Sequence, residues 1–385
     1  MTGFAPDRRR FLRLLGKAGL WGLAAGAAPS LASFASTRPG SASPASRLDG
    51  DDFGLSSQAM DPAVRRVVRS FASMGTLFEV EIQGLARDDA IAAIATVRTD
   101  LRDMEEALTV FRPGADLVRL AETPEGRWID ASPILVRALF DARAAVVRTR
   151  GAFDPTVAPM MKSWGLHGPR LLQPSPRIWR DWLRRPGWDA IDIDAGSNRV
   201  RRLDRRIEID LGGIGKGIAL DAVAERLRSM GVESGILNFG GSICVVGPPV
   251  LEDAWPVGIA HPREDGALWM TVDLVSGCLT TSADSERFHL DGSGKRIHHI
   301  LDPRTGLPVR GVASVTSWSV RGVDGDVDST AAFVESGPLV AGEADGSDRD
   351  ANERGWRKAD AELRILSAGR GLHSETAGRW SRRLG

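Results

Sequence analysis

Residues Ile209 to Asp221 read Ile-Asp-Leu-Gly-Gly-Ile-Gly-Lys-Gly-Ile-Ala-Leu-Asp, so four glycines and a lysine stand between an apolar strand-like run and a helix expected to begin near Ile218. Glycine admits positive φ and lets a backbone approach closely, and the amides at a helix start point at any anion bound there. Lys216 adds a cation, which suits the run to a phosphorylated ligand; a tight structural connection is the plainer alternative. It is not a Walker P-loop, because the first glycine of that pattern falls on Asp210 and Gly217 stands where Ser or Thr should follow the lysine. Asp326 and Thr330 are spaced i, i+4, so on a helix their oxygens share a face. A carboxylate and a hydroxyl so placed suit a hard cation such as Mg²⁺, completed by backbone carbonyls and substrate phosphate oxygens. The alternative is a first-turn acid with an incidental threonine, and the neighbouring Asp328 is expected to be solvated. His299, within His-Ile-Leu-Asp-Pro, can exchange protons near neutrality or serve as a hydrogen-bonded structural residue, while His298 is expected on the exposed face.

These segments have company. Met74-Gly75-Thr76, Gly151-Ala152-Phe153-Asp154-Pro155-Thr156-Val157-Ala158-Pro159, Asn238-Phe239-Gly240-Gly241, Thr281-Ser282-Ala283-Asp284 and His298-His299-Ile300-Leu301-Asp302-Pro303-Arg304-Thr305-Gly306 occur with them in a fixed order. Over roughly residues 65 to 335 the chain resembles the ApbE family of FAD:protein FMN transferases. The resemblance implies a single α+β catalytic domain of mixed sheets and packed helices. It also implies Mg²⁺-dependent transfer of FMN from FAD to a Thr or Ser hydroxyl of a partner protein, with release of AMP. Carried over residue by residue, it gives a metal set of Asp326, Thr330, the Gly213 carbonyl and Ser329. The catalytic candidates are His299, Asp326 and Lys216. FAD would be held by Lys216, Asp210, Met74, Phe111, Ala152, Phe153, Asp154 and Leu301, with Phe111 placed to stack on the flavin ring. The implied acceptor carries an FMN-binding domain, as in a membrane-associated electron-transfer subunit. An FAD pyrophosphatase and a non-catalytic exported flavin-binding protein are the rival readings. The chain departs from the family pattern at Ser242, where many relatives have Asp, and at Ser285, where they have an aromatic residue.

The elements expected to position these groups follow from pattern. Phe78 to Ile82 alternates as a strand, and Ile91, Ile94, Val97, Leu101 and Met104 form a stripe along a helix from about Asp88 to Ala107. Ser132-Pro133 reads as a cap and first residue of a helix running to about Thr149. Pro169 to Trp188 fits no period and is expected to be an insertion or surface loop. Ile207 to Asp210 reads as a strand feeding the glycine turn, and Ala219 to Met230 as a helix stopped at Gly231. Strands are expected at 236–238, 243–246, 256–260, 269–274, 297–300 and 313–320. A short helix is expected from about Asp326, and 363–366 with 372–373 as a closing hairpin. Mixed elements without strict βαβ alternation indicate an α+β fold.

Formal charge is zero, from 50 basic and 50 acidic residues, so no nucleic-acid surface is indicated. Asp7-Arg8-Arg9-Arg10-Phe11-Leu12-Arg13, followed by a Gly/Ala/Leu-rich stretch, resembles a twin-arginine signal over residues 1–35 with cleavage near Ala35, which implies a periplasmic protein. Residues 36–64 turn to Ser, Ala, Pro and Gly and read as a linker, leaving 65–385 as the transferase-like domain. Cys244 and Cys278 lie in apolar strand-like runs, where buried small side chains and a disulfide are both open.

Overall fold

The computed structural model describes residues 65–167, 172–341, 361–368, 371–381 and 383–384; the expected signal and linker lie outside them. Eight antiparallel strands, numbered in chain order, form the main sheet. Across it run β1 (Arg66–Ser73), β2 (Thr76–Gln83), β6 (Ser234–Phe239), β7 (Ser242–Gly247), β10 (Cys278–Ala283), β13 (Val312–Ser319), β14 (Ala361–Ala368) and β15 (Gly371–Gly378). The last two are the expected closing hairpin, with Leu366 opposite His373. Three small sheets accompany it. They comprise β3 (Ile129–Asp130), β4 (Ile191–Asp194) and β5 (Arg199–Arg202); β8 (Trp255–Ala260), β9 (Leu268–Leu274) and β16 (Arg383–Leu384); and β11 (Phe288–Leu290) with β12 (Arg296–His298). The helices are α1 (Arg87–Leu108), α2 (Asp116–Glu122), α3 (Pro133–Arg148), α4 (Ala158–Ser163), α5 (Pro176–Leu183), α6 (Gly215–Ser229) and α7 (Gly322–Ala341). The architecture is the expected α+β mixture.

Strand alternation sends Phe78, Val80 and Ile82 of β2, with Leu237 and Phe239 of β6, against α1 and α6. The opposite face buries Ile236, Ile243, Val245 and Trp318 against Val257, Ile259 and Val272 of the β8–β9 sheet. A further cluster joins α3, Phe153, Ile207, Ile209, Leu211 and Ile214 to Val327 and Phe333 of α7. Along α1 the buried stripe runs through Ala90, Ala93, Ile94, Val97 and Leu101, while Ile91 is exposed and Met104 only packs at the margin.

Several expectations are corrected. Residues 207–211 form no strand and pair with none among the described residues; their apolar side chains are buried, and the Asp210 amide donates to the Pro155 carbonyl (2.8 Å). Helix α6 begins at Gly215, three residues before Ile218, so Lys216 and Gly217 belong to its first turn. It ends as expected, Gly231 taking φ +82° while the Val232 amide reaches the Leu227 carbonyl (3.0 Å). Helix α7 begins at Gly322, well before Asp326, because its cap is remote in sequence: both oxygens of Asp221 on α6 accept the Gly322 and Val323 amides (2.6 and 3.0 Å). Within 169–188 lies α5, capped by Ser175, whose hydroxyl accepts the Ile178 amide (3.4 Å). Asp328 is buried and paired with Arg148 instead of being solvated. His298 is likewise buried, its Nε2 donating to the Val309 carbonyl (2.7 Å) and its Nδ1 accepting the Ile300 amide (3.3 Å). Cys244 and Cys278, opposite each other on β7 and β10, form a disulfide.

Candidate functional site

The site forms where the start of α6 crosses the first turns of α7. Gly217 and Gly322 make the crossing possible, since a Cβ on Gly217 would collide with the Gly322 carbonyl. This brings Asp326, 3% exposed, within reach of the α6 N-terminus. Its Oδ2 accepts the Gly217 amide (3.0 Å), and its Oδ1 lies 3.7 Å from Lys216 Nζ. The Asp326 charge raises Lys216 above the ordinary lysine value, outweighing burial.

One helical turn on, the Ser329 and Thr330 hydroxyls each donate to the Asp326 carbonyl (3.1 Å for both). Ser282 of β10 lies 2.9 Å from Ser329 Oγ and 3.0 Å from Thr330 Oγ1. The glycine turn approaches the same hydroxyls, for a Cβ built on Gly213 would sit 3.7 Å from Thr330 Oγ1 and 3.2 Å from Phe153. One carboxylate, three hydroxyls and an adjacent backbone are all hard oxygen donors, the set that Mg²⁺ prefers, so these residues fit that ion. The structure thus brings Asp326, Thr330, Ser329, Gly213 and Lys216, the residues that the family resemblance named, close together. Ser282 was quoted within its motif but not singled out, because strand alternation alone does not say which helix its face meets.

His299 is half-buried at the edge of this cluster, with its Nδ1 3.3 Å from the Arg287 carbonyl. Burial, then the charges of Arg287, His298 and Lys216, push it down to about 3, so the imidazole is neutral at physiological pH. Arg287 is exposed, and its charge acts on Asp210, Lys216 and His299 alike. Sequence pattern did not single it out, since it follows the Thr281 to Asp284 motif in a segment with no periodic signal.

Met74 occupies the left-handed region (φ 46°), uncommon for a long side chain, in the β1–β2 turn. Glu105 of α1 holds its amide (2.8 Å), and its side chain meets Gly215, whose added Cβ would lie 3.4 Å from Met74 Cε. Asn238 holds the neighbouring β6–β7 turn, accepting the Gly241 amide (2.9 Å) while donating to Glu79 (2.8 Å).

The other expected flavin contacts divide by burial. Phe111 is 63% exposed, and its ring stands edge-on to His167 at 5.6 Å. Ala152 and Phe153 are buried, and Phe153 packs under the glycine turn. Asp154 caps the short turn Pro155–Val157 by accepting from Thr156 (2.9 Å to its amide) and also takes Arg185 (3.1 Å). Leu301 is buried in an apolar cluster with Met160, Met161, Leu166 and Trp182. Asp210 gives Oδ1 to the Gly212 amide (2.7 Å) and Oδ2 to His167 Nε2 (2.8 Å). Burial pushes this carboxyl up, but His167 and the Gly212 amide outweigh it and hold it below the ordinary range.

Comparison with known proteins bears on the family and the fold. The "ApbE family" model matches residues 74–342. A Rhodobacter capsulatus protein named FAD:protein FMN transferase is 32% identical over 282 residues, 72% of this chain but 52% of that protein, so the chain spans about half of that relative's length. One of the same name from Treponema pallidum is 30% identical over 70% of this chain and 79% of its own. Among solved structures, the ApbE protein of Thermotoga maritima superposes with a TM-score of 0.69 at 28% identity, covering 80% of this chain and 96% of that one. The apo flavinyl transferase ApbE of Pseudomonas stutzeri gives 0.67 at 22%, covering 82% and 96%, a likeness of fold. The ordered motifs, the fold and these matches together establish that the chain belongs to the ApbE family.

Proposed function

We propose that this chain is an Mg²⁺-dependent flavin transferase that takes FAD as substrate, passes its FMN moiety to a Thr or Ser hydroxyl of a partner protein and releases AMP. The observation that carries this reading is the meeting of Lys216, the α6 N-terminus and the oxygen cluster of Asp326, Ser329, Thr330 and Gly213. The names of the relatives support it. In the reaction, the acceptor oxygen bonds to the FMN-side phosphorus, the bond from that phosphorus to the bridging oxygen breaks, and the bridging oxygen leaves with AMP. Lys216, the first amides of α6 and the Arg287 guanidinium offset pyrophosphate charge. His299 is neutral, so with its Nδ1–H given to the Arg287 carbonyl its Nε2 lone pair can accept a hydrogen bond from the attacking hydroxyl and orient it, while the same burial and positive neighbours make the ring a weak proton acceptor. Asp326, Thr330, Ser329 and the Gly213 carbonyl would hold Mg²⁺, which when bound draws charge from the phosphoryl oxygens. Phe111 and Met74 offer the flavin an aromatic and a thioether surface.

The acceptor in this reading is a protein with an FMN-binding domain, such as a membrane-associated electron-transfer subunit, and the enzyme reaches it in the periplasm by the twin-arginine route. No helix among the described residues is long and apolar enough to cross a membrane. Incubation with FAD, Mg²⁺ and such an acceptor should yield AMP and a mass gain of one FMN moiety on the acceptor. AMP with free FMN would identify a pyrophosphatase instead, and intact bound FAD a binding protein. Export is tested separately: replacing Arg8 and Arg9 by lysine should leave the precursor uncleaved in the cytoplasm, and normal export of that variant would overturn the signal assignment.

A further inference from the structure

His167 lies in none of the motifs above, yet it is tied to the glycine turn. Residues 207–211 have no strand partner among the described residues, so no ladder of hydrogen bonds fixes the approach to that turn. The Asp210 amide donates to Pro155, and Asp210 Oδ1 takes the Gly212 amide at 2.7 Å. The contact is close enough that a Cβ on Gly212 would meet Asp210 Oδ1 at 3.0 Å. The carboxylate can hold this position only if its other oxygen is also satisfied, because both the Asp210 and His167 side chains are 11% exposed. His167 Nε2 supplies that bond at 2.8 Å. The ring is held in turn by the segment after α4, where the Leu166 amide donates to Met161 (2.9 Å), and by the edge-on Phe111 ring.

The geometry points to His167 as a positioning residue. Through Asp210 it fixes the Gly212 amide, and so the start of the tight turn that carries Gly213 past the Thr330 hydroxyl. This inference rests on the proposed metal site for its functional consequence. A hydrogen-bonded partner one shell out from a ligand commonly sets metal affinity by ten- to a hundredfold, since it selects the ligand's orientation. His167 acts on the Gly213 carbonyl further out than such a partner, through Asp210 and the Gly212 amide, so the lower end of that range applies.

The test uses the full chain and two readouts. Hydrogen exchange of peptides spanning 207–217 reports the turn itself, and Mn²⁺ titration followed by electron paramagnetic resonance reports the metal. His167→Ala should speed exchange at Gly212 and its neighbours while leaving β6 and α7 protected, and should raise the Mn²⁺ Kd about tenfold. His167→Gln, whose side-chain amide can donate to Asp210 from nearly the same place, should restore both and controls for misfolding. Wild-type exchange and Mn²⁺ affinity in the alanine variant would overturn the inference. A folded glutamine variant as loose as the alanine one would do the same, because it traces the effect to the lost ring. If the wild-type protein binds no Mn²⁺, the metal reading fails, and the exchange comparison still decides the role of His167.

Discussion

Lys216 and Asp326 can both stay charged with little water around them because each answers the other, and the Gly217 amide adds a third partner. Asp326→Asn keeps the shape and removes the charge, leaving Lys216 without its counter-ion and the proposed cation without its only carboxylate. The variant should remain folded by circular dichroism yet lose transfer on the order of a thousandfold, since several kcal/mol of charge stabilisation is at stake and each ~1.4 kcal/mol is tenfold. AMP release and acceptor mass, measured with and without Mg²⁺, check this; an unchanged rate, or wild-type activity indifferent to EDTA, would remove the metal assignment. Lys216→Met separates phosphate binding from folding. It should weaken FAD far more than riboflavin, which has no phosphate, in a flavin-fluorescence titration. Equal weakening of both would place Lys216 in the fold alone.

At the scale of elements, what was legible in the sequence was whatever depends on near neighbours. The Ser132 cap shows this: its hydroxyl accepts the Leu135 amide at 3.2 Å, with Pro133 opening α3 where the pattern placed it. The start of α7 was not legible, because Asp221 caps it from more than a hundred residues upstream. Nor was the unpaired state of 207–211, since an apolar, β-branched run reads the same with or without a partner strand. The burial of His298 and Asp328 also depended on which elements pack over them. The β2–β6 ladder carries a consequence of the same kind. Glu79 faces Asn238 across it, and burial raises its carboxyl from 4.5 to about 7 against the lowering effect of the Asn238 hydrogen bond. Between those two values the unfolded chain has lost the Glu79 proton while the folded chain keeps it, so stability falls as pH rises through this window. Glu79→Gln should remove that slope. Urea unfolding at pH 4.5 and pH 8 should show the wild type losing on the order of 1–2 kcal/mol relative to the variant, after allowing for partial solvent screening. Parallel pH profiles would mean that Glu79 titrates normally.

Over the whole molecule, the main sheet is divided in sequence by long insertions. The β8–β9 pair, for example, lies between β7 and β10 and folds back over the face opposite the helices. The Cys244–Cys278 disulfide closes that insertion at its base, joining adjacent strands across a separation of 34 residues. It is buried on the helix-covered face in the cluster that includes Leu220 and Val223 of α6. In the chain-entropy account, a loop of this size cross-linked in the unfolded state contributes about 3–4 kcal/mol. The bond also suits the oxidising compartment to which the proposed signal would deliver the protein. A Cys244→Ser, Cys278→Ser protein should therefore unfold at a clearly lower urea midpoint than the oxidised wild type, and wild type treated with dithiothreitol under unfolding conditions should move toward it. The comparison separates two roles. If the serine variant still binds flavin and transfers FMN at the wild-type rate below its melting temperature, the disulfide acts only on global stability. A variant as stable as the oxidised protein would show that the main sheet holds its insertion without the cross-link.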